Sequence, residues 1–294
     1  MPLDTTKIQL PKSVVTQLIG KVQDTSTIAA LSPAQPQIFA DETTMVFNPT
    51  AEAEVVAEGA KKGVYEQTLA PVTGKRFKVV TTTRVSNELK WADEDNQLEI
   101  IDNIMNDQVA AIGRAIDYVV YHAINPKTGG ALSGFTALTA GAKSVTATDN
   151  YVGDIDSMVD AILDYNISGI ALGRQFASDL RKVRVPSTGL RLYPEIPLNL
   201  QVGNFDGIPA ATSGTVNGRL ATTPTNVLAI MGDFDLIKWG MVRDIWSEII
   251  EYGDPDGTGN DLKAYNQIAY RTEAVLSYAV LDPKGFAVLK KAAE

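Results

Sequence analysis

The longest regular pattern of apolar positions in the chain lies between Gln97 and Ile124. Apolar residues there recur every three or four positions and form one stripe: Leu98, Ile101, Met105, Val109, Ile112, Ile116, Val119 and Ala123. This spacing predicts one amphipathic helix, about 40 Å long at ~1.5 Å per residue. Asn96, with Glu99 three residues later, predicts a capping box at its start. The helix is far longer than the average of ~11–12 residues, so other elements must cover its stripe.

A glycine lies in the middle of this predicted helix. Gly113 costs about 1 kcal/mol there relative to alanine. Two interpretations remain open: Gly113 allows close packing against a neighbouring element, or it marks a place where the helix bends.

Alternation with a period of two predicts a strand from Lys75 to Val85. Its odd positions are mostly apolar or β-branched and its even positions include most of the charges. Residues 54–63 lead towards this strand, and Pro71 and Gly74 predict that Leu69–Gly74 forms the tip of a hairpin.

The remaining pattern is a mixture of short helices and strands. The first forty residues predict an extended arm with a short helix that starts near Pro11, and this arm is expected to lie on another surface. Further helices are predicted at 152–164 and 174–183, and strands at 198–202, 207–212, 226–231, 242–251 and 264–281. The expected fold class is α+β.

The amino-acid composition of the chain excludes several classes of function. The 294 residues include 45% hydrophobic and 21% charged residues, an ordinary globular balance. Without cysteine, disulfides and thiolate metal sites are excluded, and a Ser–His enzyme or zinc site would depend on His122 alone. No apolar run reaches the ~18 residues of a membrane span, and the first residues carry no secretory signal. These features predict a soluble, cytoplasmic product.

Candidate chemical motifs are weak. Asp254, Asp256 and Gly259 match positions of a calcium loop, but Tyr265 replaces its bidentate glutamate, so a solvated acidic turn is the better interpretation. Asp93 and Asp95 suit the region before a helix, where acidic residues favour the helix dipole. The sequence therefore predicts no catalytic residue, metal ligand or cofactor.

Charge is distributed unevenly along the chain. Residues 61–90 carry seven basic and two acidic residues, whereas 91–107 and 244–261 each carry six acidic and no basic residues. One interpretation is two solvated faces of a monomer; the other is a basic loop that contacts an acidic surface of another subunit. The candidate contact residues are Lys75, Arg76, Lys78 and Arg84, with acidic candidates Asp93, Glu94, Asp95, Glu248, Glu251, Asp254 and Asp256. The net charge of -9 argues against electrostatic wrapping of nucleic acid.

The order of several segments is similar to that of a known family. These segments are AEVVAEGA (53–60), VSNELKWADED (85–95), SGFTAL (133–138), LGRQFASDLRKVRVPSTGLRLYP (172–194), VGNFDGIPAATS (202–213), AIMGDFDLIKWG (229–240) and YNQIAYRTEAVLSYAVLDPKGFAVLK (265–290). From about residue 10 to residue 290, the chain resembles a major capsid protein of tailed bacteriophages. Bacterial nanocompartment shells share that fold.

The resemblance implies a division of the chain. It gives an N-terminal arm (1–40), a peripheral domain (41–63, 85–129 and 246–275) with a spine helix (97–124), an extended loop (64–84) and an axial domain (130–245 and 276–294). The arm is short, which implies a separate scaffold protein and no proteolytic trimming. Lys75 and Lys78 lie where some relatives crosslink subunits, but the sequence offers no identifiable partner asparagine.

The implied function is structural, without enzyme activity. Copies of the chain would assemble as pentamers and hexamers into an icosahedral virion capsid around double-stranded DNA, with scaffold, portal and decoration proteins as further partners. Synthesis would take place in the host cytoplasm. The alternatives are a nanocompartment shell around a cargo enzyme and an unrecognised soluble enzyme.

Overall fold

The computed structural model describes residues 25–35, 43–47, 53–64, 69–96, 99–148 and 150–292, where helices and sheets are mixed. The helices are α1 (Thr27–Leu31), α2 (Asn87–Asn96), α3 (Ile100–His122), α4 (Leu138–Gly141), α5 (Tyr151–Ala161) and α6 (Arg174–Lys182). The strands are β1 (Thr43–Phe47), β2 (Leu69–Thr73), β3 (Lys75–Ser86), β4 (Lys143–Thr146), β5 (Gly169–Leu172), β6 (Asn204–Phe205), β7 (Ile208–Thr212), β8 (Val227–Gly232), β9 (Ile237–Ile250), β10 (Gln267–Val280) and β11 (Phe286–Lys290).

The long helix α3 starts later than predicted. A separate helix, α2, precedes it, and Glu99 between them has a left-handed φ of 56° and caps nothing with its side chain. The carboxylate of Asp93 instead accepts hydrogen bonds from the backbone N–H groups of Ile100 (2.9 Å) and Ile101 (3.2 Å). The predicted capping box is therefore wrong, because an acid from the preceding helix satisfies these N–H groups. Residues 97–98 and the Asn96 side chain lie outside the described residues.

The apolar stripe of α3 is covered mainly in its second half. Ile112, Ile116 and Val119 are buried, whereas Val109 remains exposed. Gly113 is exposed too, and an added Cβ there would meet no described atom within 4 Å. Within the described residues of one subunit nothing packs closely against Gly113, and close packing against another subunit stays a prediction. The helix runs through Gly113 without interruption, and a bend in another state of the protein stays a prediction.

A three-stranded sheet packs its inner face against α3. Its order is β3-β10-β9, with both neighbouring pairs antiparallel. Phe77 and Val79 of β3 pack against the core cluster that contains Ile116 and Val119 of α3. The predicted strand and its inward parity are confirmed, and the even-numbered residues of β3 lie on the outer face.

The predicted hairpin tip at Leu69–Gly74 is wrong. Leu69–Thr73 form β2, which pairs antiparallel with β1, from Thr43 opposite Thr73 to Phe47 opposite Leu69. Pro71 fits this two-stranded sheet because proline is tolerated where a strand has an unpaired edge. The chain reverses instead near Ala57 and Ala60, where the N–H of Ala60 donates to the carbonyl of Ala57 at 3.0 Å. We call residues 43–73 the ribbon.

A six-stranded mixed sheet, ordered β4-β11-β8-β5-β7-β6, forms the second core with α5 and α6. The predicted helices correspond to α5 and α6, and four predicted strands correspond to β7, β8, β9 and β10. Residues 198–199 form a turn and residues 200–202 have no regular structure, so the strand predicted there is wrong, and β4, β5 and β6 were not predicted. The boundaries of the axial and peripheral domains stay a prediction.

The described part of the N-terminal arm belongs to the subunit core. Ile28 of α1 is fully buried. The Ser32 hydroxyl donates to the carbonyl of Ile237 (2.9 Å), and the backbone carbonyl of Ser32 accepts from the indole N–H of Trp239 (3.0 Å). The expectation that the whole arm lies on another surface is therefore wrong for residues 25–35. The helix predicted after Pro11 lies outside the described residues.

Candidate assembly surfaces

The turn of the ribbon is exposed throughout. Every residue from 53 to 64 is exposed, including Val55 (99% exposed) and Val64 (91%). The segment has some internal order, because the N–H of Gly63 donates to the Glu54 carboxylate at 2.8 Å. The turn, with its two almost fully exposed valines, is therefore a candidate contact surface.

The acidic loop after β9 surrounds the guanidinium group of Arg84. Arg84 Nε donates to both Asp256 oxygens (2.9 and 2.8 Å), and its Nη1 donates to the Asn260 carbonyl (2.8 Å). Its Nη2 pairs with Asp254 and Asp256, and Asp254 also accepts the N–H of Gly259 at 2.6 Å. The loop that resembles a calcium loop in sequence therefore binds a cation of its own chain. Arg84 therefore pairs within its own subunit, which corrects the expectation that it contacts another one, while Asp254 and Asp256 remain exposed in an acidic turn.

Arg84→Gln is expected to lower the thermal midpoint of the free subunit by a few degrees. Hydrogen bonds from Arg84 lower the pKa of Asp256 from 3.8 to about 2. The ionised carboxylate thus stabilises the fold above about pH 4, and this contribution is lost as the pH falls towards about 2. The midpoint difference between wild type and variant should therefore shrink over that interval in a thermal scan. An unchanged difference would contradict this role, and Arg243→Gln is the control.

The outer face of the three-stranded sheet carries a chain of intramolecular charge pairs. Lys78 pairs with Glu273, and Arg271 lies 3.9 Å from Glu273 and 4.0 Å from Glu248. Arg271 also donates to the carbonyl of Pro255 in the acidic loop. The basic and acidic segments that the sequence keeps apart thus meet within one subunit, across β3, β10 and β9.

The other acidic candidates have different positions. Asp93 is buried and caps α3, as its expected role with the helix dipole requires. Glu94 lies 3.8 Å from Lys90 on the same helix, and the Asp95 side chain lies outside the described residues. Glu251 is exposed directly after β9.

Lys75 and Arg76 open β3 next to the ribbon. Lys75 donates to the carbonyl of Gly134 and lies 5.8 Å from the ring centroid of Phe135. Arg76 lies opposite Ser277 of β10. Their contact with another subunit stays a proposal.

Asp117 forms a buried polar centre that sequence reasoning missed. Its carboxylate accepts from the hydroxyl of Ser26 (2.6 Å), the N–H (2.8 Å) and hydroxyl (3.0 Å) of Thr27, the N–H of Ile28 (3.2 Å), and the hydroxyl of Thr215. Burial raises the pKa of Asp117, and these hydrogen bonds oppose the rise. A lone carboxylate in the apolar run 115–124 was the available signal. Asp117 thereby ties the N-terminal arm to α3.

His122 closes α3 as a buried neutral residue. Its Nε2 donates to the carbonyls of Val216 (3.0 Å) and Thr215 (3.2 Å), and burial lowers its pKa. Within the described ranges no cluster of His, Asp and Glu side chains is placed to hold a metal ion. In the same part of the chain, no helix is long and apolar enough to cross a bilayer.

Comparison with known proteins shows to which family a chain with these surfaces belongs. The model of the phage capsid family matches residues 7–291. The chain belongs to the phage capsid family. A comparison of this capsid protein with curated sequences finds no match.

Solved structures agree with the family. A structure from Mycobacterium phage Ogopogo is 37% identical, with a TM-score of 0.87 over 99% of this chain and 100% of that chain. One from Gordonia phage Cozz is 30% identical, with a TM-score of 0.81 over 98% and 93% of the two chains. The capsid of a native GTA particle is 14% identical with a TM-score of 0.65, covers 98% and 96%, and shows the fold alone.

The predicted α+β capsid fold is confirmed by these comparisons. The protein is a bacteriophage major capsid protein, and both its family and its fold are structural rather than enzymatic. Its place is the virion capsid.

Proposed function

We propose that this capsid protein assembles as pentamers and hexamers into an icosahedral shell that encloses double-stranded DNA, without enzyme activity. The observation that carries the proposal is the ribbon, whose turn exposes residues 53–64 to solvent along their whole length. An ordered, exposed segment with two uncovered valines suits a contact that forms only between copies. Repetition of weak contacts around a closed shell then stabilises the assembly.

The negative net charge of the subunit supports a shell that encloses DNA without binding it strongly. The net charge is -9, so unassembled subunits should show no sequence-specific DNA binding and little non-specific binding at physiological salt. The proposal includes separate scaffold, portal and decoration proteins, and synthesis and assembly in the cytoplasm of the bacterial host.

Imaging particles from infected cells and from cells that express the chain alone tests this function. We expect closed icosahedral particles, with DNA inside those from infection. Particles that hold a protein cargo and no DNA would favour a nanocompartment shell instead. A chain that sediments only as a monomer or small oligomer under both conditions would overturn the proposal.

Val55→Asp combined with Val64→Asp is expected to reduce the particle yield at least tenfold while leaving the subunit folded. Both side chains are almost fully exposed, so the change costs little packing among the described residues of the subunit. A buried contact between copies would have to desolvate two carboxylates. Particle yield by sedimentation and the thermal midpoint of the free subunit measure the two effects. Val55→Thr with Val64→Thr preserves shape and is the control. Wild-type yield of the Asp variant would exclude burial of the turn.

A further inference from the structure

A short hairpin after α6 carries two arginines directly opposite each other. Arg184 and Arg191 form an antiparallel bridge in this hairpin, which spans residues 183–192. Two backbone hydrogen bonds flank the bridge, from the N–H of Val185 to the carbonyl of Leu190 (2.9 Å) and from the N–H of Leu192 to the carbonyl of Val183 (3.1 Å). The arginines are thus a non-hydrogen-bonded pair, where Cα atoms are only ~4.5 Å apart and side chains approach most closely.

This pairing of like charges is unfavourable within the subunit. Like charges directly opposite each other destabilise an antiparallel pair, and residues 181–193 contain four basic residues and no acidic one. Arg184 Nη1 donates to the backbone carbonyls of Arg181 (2.9 Å) and Val183 (3.3 Å), which orients the guanidinium group but does not neutralise it. Among the described residues, no carboxylate pairs with Arg184 or Arg191. An anion that contacts both guanidinium groups would offset the repulsion.

Phosphate is the anion that the charges of this chain favour. The acidic segment after β9 already has basic partners within the subunit, because Asp254 and Asp256 bind Arg84 and Glu248 lies 4.0 Å from Arg271. If a second copy supplied these carboxylates to the hairpin, it would have to break pairs that stabilise its own fold. Double-stranded DNA carries one negative charge per ~1.7 Å of its axis and breaks no such pair. The planar guanidinium group also binds phosphate with two parallel hydrogen bonds.

We propose that Arg184 and Arg191 bind backbone phosphates of double-stranded DNA, so that this side of the hairpin faces the interior of the shell. The proposal rests on the function proposed above for the source of the DNA. Binding to two phosphates is weak and should fall about tenfold between 0.05 M and 0.2 M salt. A single free subunit therefore keeps the low affinity expected at physiological salt, and the contact becomes effective only by repetition along the inner wall.

The absence of cysteine from the chain allows a direct test with one photocrosslinker. Ser187→Cys places a thiol in the exposed turn of the hairpin, and a photoreactive group is attached to it. Free subunits irradiated with double-stranded DNA of mixed sequence at about 0.05 M salt should form DNA crosslinks, and about tenfold fewer at 0.2 M. Arg184→Gln with Arg191→Gln should reduce the yield at the lower salt at least tenfold. Lys143→Gln with Lys263→Gln changes the net charge equally at two other exposed positions and should keep the yield.

Particles from infected cells identify the partner of the hairpin in the shell. The same probe in DNA-filled particles should crosslink to DNA, whereas crosslinks to a second copy alone would mean that the hairpin lies between subunits and would overturn the proposal. Equal yields from the two glutamine pairs on free subunits would overturn it as well. The thermal midpoints of both pairs should stay near that of wild type, which separates lost binding from a lost fold. A failure to form particles would contradict the proposed function only, because the free-subunit measurement decides phosphate binding by itself.

Discussion

Asp117→Ala is expected to destabilise the subunit by about 3–5 kcal/mol, since removal of a buried charged acceptor leaves its donors unsatisfied. The substitution removes the acceptor of two backbone N–H groups, those of Thr27 and Ile28. It also removes the acceptor of the hydroxyls of Ser26, Thr27 and Thr215. A change of this size should lower the thermal midpoint by roughly 10 °C in a domain of this size. Thermal unfolding of the free subunit measures it.

The effect should appear first where α1 meets α3. Hydrogen exchange at Ala29 in α1 and at its C-cap Ser32 should accelerate more than exchange in the six-stranded sheet, because Asp117 attaches the arm rather than that sheet. Asp117→Asn is expected to be intermediate, since each carboxylate oxygen accepts one backbone N–H and an amide nitrogen cannot. The control is Asp102→Ala, which removes an exposed carboxylate from the same helix. A midpoint no lower than that of the control would show that Asp117 does not hold the arm.

Local periodicity explains which elements were predictable. The apolar stripe of α3 and the alternation of β3 are repeated over many residues, and both elements appear near their predicted positions. The five residues of α1 are too few to show a helical period, and it is held by Asp117, 90 residues away. The ribbon was missed because its exposed strands need no alternation of apolar and polar residues. Pro71 also gave a turn signal in what is an edge strand.

The pairing of Arg84 within the subunit was not predictable for a different reason. Arg84 and Asp256 are 172 residues apart, and only the pairing of β3 with β10 brings them together. The amino-acid composition of each segment shows that the segments carry opposite charges. It does not show how far apart the charged groups lie in the fold. The family, by contrast, was accessible from the order of many weak segments, because that order reflects the whole fold rather than one contact.

The outer charges of β3 therefore divide into two groups with different expected roles. Arg84 and Lys78 pair within the subunit, and the Glu273 partner of Lys78 is largely buried. Lys78→Glu would place two carboxylates together and should lower the thermal midpoint of the free subunit. Glu248 and Asp254 are likewise held by Arg271 and Arg84, so reversing those acids would disturb the fold before any interface.

Lys75→Glu with Arg76→Glu is expected to reduce the yield of closed particles at least tenfold at low salt, with a nearly unchanged thermal midpoint. Lys75 is exposed and Arg76 half-buried, and a contact at such a surface contributes only ~0–1 kcal/mol, so the loss of their contacts within the subunit should lower the midpoint only slightly. Across a boundary between copies, the same repulsion is partly desolvated and repeated at every contact of the shell. Sedimentation of particles and thermal unfolding of free subunits separate these two effects.

Salt then distinguishes a charged contact from a damaged subunit. The Debye length falls from ~10 Å at 0.1 M to ~3 Å at 1 M, so high salt should partly restore the particles if repulsion between copies prevents assembly. Lys143→Glu with Lys263→Glu gives the same change in net charge at two other exposed positions and is the control. Glu251→Lys, added to the double variant, should restore assembly at low salt if Glu251 faces the basic pair. Wild-type yield of the Lys75 and Arg76 variant at low salt would show that these charges are solvated in the shell, and the contact would have to be sought on the ribbon alone.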